Sequence, residues 1–96
     1  MIIRLCTEDC GNLPAITQIV SRYFPCFTIY QGMGMWNGQS EASLTIDIAL
    51  LGEDREPEAR SKSVAVAQQI QRLNKQEAVL IEYLYSENVL VRAQVH

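Results

Sequence analysis

The residues best suited to chemistry in this chain fall into three groups. The first is the stretch from Tyr30 to Glu41, YQGMGMWNGQSE, which holds Gly32, Gly34 and Gly38, two methionines, the only tryptophan and an Asn-Gly pair. The second is a pair of carboxylates, Asp47 and Glu82, each set in an otherwise apolar run. The third is the cysteines Cys6, Cys10 and Cys26 with a single histidine, His96.

The glycine stretch does not spell a phosphate site. It lacks the Lys-Ser/Thr pair of a P-loop, and it does not lead from a strand straight into a helix as a dinucleotide fingerprint does. Glycines inside a strand more often mark a bend or the close approach of another backbone. Alternation puts Gly32, Gly34 and Trp36 on one side of the strand and Met33 and Met35 on the other. The glycine side is then a shallow groove with an aromatic ring at one end. A planar ligand could lie there, and so could a side chain from a neighbouring subunit. Gln31, Asn37, Gln39 and Glu41 add hydrogen-bonding groups, so the candidate ligand-binding set is Gln31, Gly32, Gly34, Trp36, Asn37, Gln39 and Glu41.

Asp47 and Glu82 could do acid–base work or hold a cation if their strands are neighbours. They could equally lie on the solvated side of a sheet or pair with Arg4 or Arg92. No residue is assigned a catalytic role. A triad would have to recruit His96 at the chain's end. The C-x3-C spacing of Cys6 and Cys10 lacks the further close ligands that zinc needs, so no metal and no cofactor is expected. Free thiols in a reducing, cytoplasmic setting are the simpler expectation.

Composition narrows the partners. With 96 residues, 48% of them hydrophobic, the chain suits one small soluble domain, 1–96. A net charge of -3 argues against nucleic acid, whose binding rests on neutralising phosphates, and against an anionic membrane surface. No apolar run is long enough to span a bilayer, and MIIRLCTEDC does not read as a signal peptide.

These groups need elements to hold them. Ile2–Cys6 fits a strand, and Thr7–Asn12 a loop. Asn12 can cap a helix with Pro14 in its first turn; Leu13, Ile16, Val20, Tyr23 and Phe24 form its apolar stripe, and Pro25 stops it. Phe27 to Tyr30 starts a second strand. Asn37-Gly38 is a hairpin signal, and Leu44, Ile46, Ile48 and Leu50 alternate along the return strand. A second helix runs from about Glu58 to Asn74 with Ala59, Val66, Ala67, Ile70 and Leu73 inward. Ala78–Tyr85 is a fourth strand, and 89–95 could add a fifth. The order β-α-β-β-α-β predicts an α+β, ferredoxin-like split βαβ domain, with two helices on one face of an antiparallel sheet. The other face would be open, and with apolar groups on both sides of the strands it should seek a partner. A tail strand folding back is the alternative.

This layout, with a glycine-rich hairpin between the second and third strands, resembles PII-type signal proteins and the related CutA family. A G-x-G-x-W-x-G…E-x-S pattern, here Gly32, Gly34, Trp36, Gly38, Glu41 and Ser43, also resembles small bacterial and phage proteins. The PII resemblance implies a homo-oligomer, a trimer, that binds nucleotides in clefts between subunits at the hairpin base. This chain departs from that pattern: its hairpin is short, and no Lys/Arg cluster stands ready for a polyphosphate.

Three functions follow as expectations. The first is a non-catalytic homo-oligomer that senses or sequesters a small molecule or nucleotide at subunit interfaces. The second is a phage- or mobile-element-type inhibitor or adaptor acting on a host protein. The third is a small hydrolase using Asp47 and Glu82.

Overall fold

The computed structural model describes residues 1–52 and 55–85; the proposed fifth strand at 89–95 lies outside them. The elements run β1 (Ile2–Glu8), α1 (Leu13–Ser21), β2 (Thr28–Trp36), β3 (Gln39–Ala49), α2 (Glu56–Asn74) and β4 (Leu80–Leu84). The four strands form one sheet in the order β2-β3-β1-β4, and every neighbouring pair is antiparallel. This is the expected α+β, ferredoxin-like split βαβ layout, with β1 central and the β2–β3 hairpin at one edge.

Alternation sets the faces. Ile3 and Leu5 of β1 and Leu44, Ile46 and Ile48 of β3 are wholly buried against Ile16 and Val20 of α1 and Val66 and Ile70 of α2. Burying each such side chain contributes about 1.5–3 kcal/mol. Ile81 and Tyr83 of β4 pack on the same side. Leu73, expected in the α2 stripe, is largely exposed, and the small hydroxyl residue Ser63 takes an inner place instead. Ser63 Oγ donates to the Arg60 carbonyl at 2.7 Å and lies 3.1 Å from Tyr83 Oη, so its burial leaves no orphaned polar group.

The element ends differ from expectation for local reasons. β1 runs on through Thr7 and Glu8, because Thr7 faces the core side and its hydroxyl meets Gln76 and Asn74. α1 ends at Ser21, and Phe24 reaches the core from the turn that follows. Asn12 makes no side-chain cap; its amide donates to Asn74 Oδ1 at 2.7 Å and so ties the start of α1 to the end of α2. α2 starts at Glu56, since Pro57 fits a first helical turn, and stops where Lys75 adopts a left-handed conformation (φ 52°). Among the described residues no helix is long and apolar enough to cross a membrane.

The hairpin outgrows the sheet. β1 pairs with β3 only from Ser43 to Ala49, so Met33–Trp36 and Gln39–Ala42 form a two-stranded arm that projects from the body. Asn37 (φ 50°) and Gly38 (φ 77°) both sit in the left-handed region, as the two-residue turn at its tip requires.

Candidate functional site

The open face is more polar than expected at its centre. Its residues include Arg4 and Cys6 on β1, Ser43, Thr45 and Asp47 on β3, and Glu82 on β4. Arg4 stands opposite Asp47 on one side and opposite Glu82 on the other. Its guanidinium grips Asp47 bidentately, Nε to Oδ1 at 2.8 Å and Nη2 to Oδ2 at 3.0 Å. The hydrogen bonds and charge of Asp47 hold the Arg4 guanidinium still more firmly protonated than usual. Both Asp47 oxygens are therefore engaged, and an arginine stands between the two carboxylates. That is the ion-pair alternative for Asp47, and it leaves that carboxylate no free oxygen to act as a base.

Neither of these two thiols is poised as a nucleophile, for both are pushed away from the thiolate. Burial, then Glu82, pushes the Cys6 thiol up. Partial desolvation, then the charges of Glu8, Asp9 and Glu41, does the same to Cys10. Among the described residues no group of three or more His, Cys, Asp or Glu side chains is placed to hold a metal.

The sequence-predicted ligand set is divided by the fold. Gly32, Gly34 and Trp36 share the open face with Ser43, Glu41 and Gln39, which lie directly opposite them on β3. Gln31 pairs with Leu44 and points to the helix side, and Asn37 is in the turn. On the open face the two glycines leave a bare strip between Tyr30 and Trp36, residues that are 53% and 56% exposed. Neither glycine is demanded by the chain itself. Neither has a positive φ, and a Cβ added at either would meet only Ser43, at 3.8 Å for Gly32 and 3.6 Å for Gly34, which is ordinary contact. Glycine weakens a strand, and no contact among the described residues requires it at either position.

The rim of the strip is acidic and polar: Glu41 faces Gly34, and Glu8 pairs with Ser43 from the other side. The strip is a shelf with no second wall. A hollow of about 500 Å3 lies instead at the far end of β2, lined by Phe27, Thr28, Asp47 and Ala49 among others.

No protein-family model matches the chain, and no curated protein matches it. Solved structures do. A phage SAM lyase in complex with S-methyl-5'-thioadenosine is 20% identical with a TM-score of 0.59, over 83% of this chain and 76% of that one. A DUF3240 family protein from Shewanella baltica is 11% identical with a TM-score of 0.60, over 94% of each chain. A de novo designed protein, Foldit4, is 16% identical with a TM-score of 0.52, over 90% and 94%. At these identities the likeness is one of fold: a small α+β domain that nature and design both reach. The resemblance to PII and CutA remains one of layout.

The pairing of Arg4 with Asp47 was one of the alternatives open in the sequence, and strand order, which brings β1 between β3 and β4, realises it. One feature had no such forewarning: the side-chain cluster of Asn12, Asn74, Gln76 and Thr7, which joins both helices to β1. Asparagine at a helix start and helix end was its only local signal.

Proposed function

We propose that the chain is a non-catalytic, homo-oligomeric domain that binds a small ligand on the glycine strip of its hairpin, at an interface between copies. The observation that carries this reading is the unforced bareness of Gly32 and Gly34 between two exposed aromatic rings. A flat ring laid on backbone and flanked by Tyr30 and Trp36 gains stacking that an aliphatic ligand would not. Charge supports a ligand without phosphates, since Glu41 and Glu8 border the strip and, among the described residues, no Lys or Arg pairs into it. The matched phage lyase supports the same class, because its named ligand is an adenine nucleoside carrying a thioether and no phosphate. The ligand class is thus a purine nucleoside.

Thermal shift tests this directly, because a ligand that binds only the folded state raises the melting temperature by mass action. S-methyl-5'-thioadenosine and adenosine should raise it, and ATP should raise it less. Gly34→Val should keep the fold and lose the shift. A flat response to the nucleosides, or an equal one from Gly34→Val, contradicts the reading.

An adaptor reading has its own support. Met33 and Met35 are 75% and 65% exposed on the other side of the arm, and methionine suits adaptable protein contacts. A phage-type protein is compatible with the fold likeness. A host protein held by the wild type and released by Met33→Lys/Met35→Lys, with no nucleoside response, would favour it.

A further inference from the structure

Among the described residues, the outer edge of β2 has none of the usual protections of a free strand. Among the described residues no strand pairs with it, since β2 ends the sheet order. Its sequence, TIYQGMGMW, has no charge and no proline. Its register with β3 runs unbroken from Thr28↔Asp47 to Trp36↔Gln39, so no bulge twists it away. Natural edges are blunted by short length, charged residues, proline or bulges; this one runs nine residues, about 30 Å, without them.

The direction of its free backbone groups follows from the turn. A two-residue turn at Asn37-Gly38 makes Trp36 and Gln39 a hydrogen-bonded pair. Gly34, Gly32, Tyr30 and Thr28 then also turn their amides toward β3. Ile29, Gln31, Met33 and Met35 turn theirs outward.

We propose that β2 of one chain pairs edge to edge, antiparallel, with β2 of a second copy about a two-fold axis through Gly32. Only this register pairs all nine residues: Thr28 with Trp36, Ile29 with Met35, Tyr30 with Gly34, Gln31 with Met33, and Gly32 with itself. It joins the outward amides of Gln31 to Met33 and of Ile29 to Met35. Gly32 meets Gly32 in the closer, non-hydrogen-bonded type of pair, where missing side chains permit the axis. Tyr30 of each copy stands opposite Gly34 of the other, where the absent side chain leaves room beside the ring. The half-buried Ile29 gains Met35 as a lid. Charge is compatible as well: the chain carries -3, yet β2 brings no charged side chain opposite itself.

The pairing also completes the ligand shelf. Its floor becomes Ser43, Gly32, Gly32 of the second copy and Ser43 of the second copy, with one Tyr30 at each end. The inference rests on the preceding reading only in requiring that copies associate.

Light scattering on the intact chain should give twice the 10.8 kDa chain mass. Met33→Pro removes an outward N–H at a position where proline fits a free edge, so it should give the single-chain mass with an unchanged circular dichroism spectrum. Gly32→Cys in a Cys10→Ser/Cys26→Ser background should oxidise to a covalent dimer, whereas Ser61→Cys in that background should not; this arm holds even if the proline variant misfolds. A single-chain or three-chain mass for the wild type, a folded Met33→Pro that keeps its mass, or a Gly32→Cys that fails to cross-link overturns the two-fold. If Met33→Pro keeps both mass and nucleoside response, the ligand reading stands and only this interface falls. If the wild type is single and still responds, the ligand reading loses its shared wall but keeps its site.

Discussion

The body of the sheet and the arm that leaves it are built from the same two strands and obey different rules. In the body, β3 places Leu44, Ile46 and Ile48 under both helices with none of their surface exposed. In the arm the alternation continues, with Met33 and Met35 on the helix side and Trp36 on the open face, yet all three are more than half exposed. The body's pattern is explained by what the chain buries. The arm's glycines, methionines and lone tryptophan are explained by nothing the described residues place against them. Side-chain pattern in the body therefore reports folding, and in the arm the proposed function reads it as contact with another molecule.

The sharpest way to break this contrast is a truncation in each region. Ile46→Ala should cost about 2–5 kcal/mol in denaturant unfolding, because a fully buried side chain leaves a cavity in a packed layer. Met33→Ala should stay within about 0.5 kcal/mol for the dissociated chain. Comparable losses at the two sites would erase the distinction. Next in size is the tip: Gly38→Ala forces a Cβ into the left-handed region at φ 77° and should cost about 1–2 kcal/mol, read in the same experiment. Gly34→Val is smaller and opposite in sign. Its Cβ meets only Ser43 at 3.6 Å, and leaving glycine in a strand should stabilise the chain by about 0.5–1 kcal/mol while ligand binding is lost.

The smallest effect sharpens the body alone. The Arg60 hydrogen bond, then that of Tyr85 Oη, holds the Glu56 carboxyl below its ordinary value. Its contribution is present above that ordinary value and lost as pH falls through the lower, folded one. Unfolding followed across the acid range should therefore show less loss for Glu56→Gln than for wild type. Identical acid profiles would mean the cluster adds nothing.

How much was legible in the sequence follows the same division. Alternation in Leu44–Ile48 and the three- and four-residue steps of α1 exposed the body's core, because burial within one chain leaves a periodic trace. Asn37-Gly38 announced the turn through its backbone demands. The end of β1 was missed because Thr7 looks like a loop residue until Gln76 and Asn74 arrive from another part of the chain. Asp47 stood open between a candidate base and a partner of Arg4 or Arg92, because the sequence cannot say which strand will lie beside it; strand order decides for Arg4. The open face was expected to be apolar, and strand order instead filled its centre with that ion pair. For the site, Gly32, Gly34, Trp36, Gln39 and Glu41 share the open face as alternation implied, whereas Gln31 falls on the other side by the same rule.

The chain's sole tryptophan stands at the end of the bare strip and reports on it directly. Titrating S-methyl-5'-thioadenosine into the intact protein and following Trp36 fluorescence should give a saturable change that Gly34→Val abolishes. A spectrum that stays flat, or one that responds equally well in Gly34→Val, would contradict the claim that the glycines keep this surface clear for a ligand.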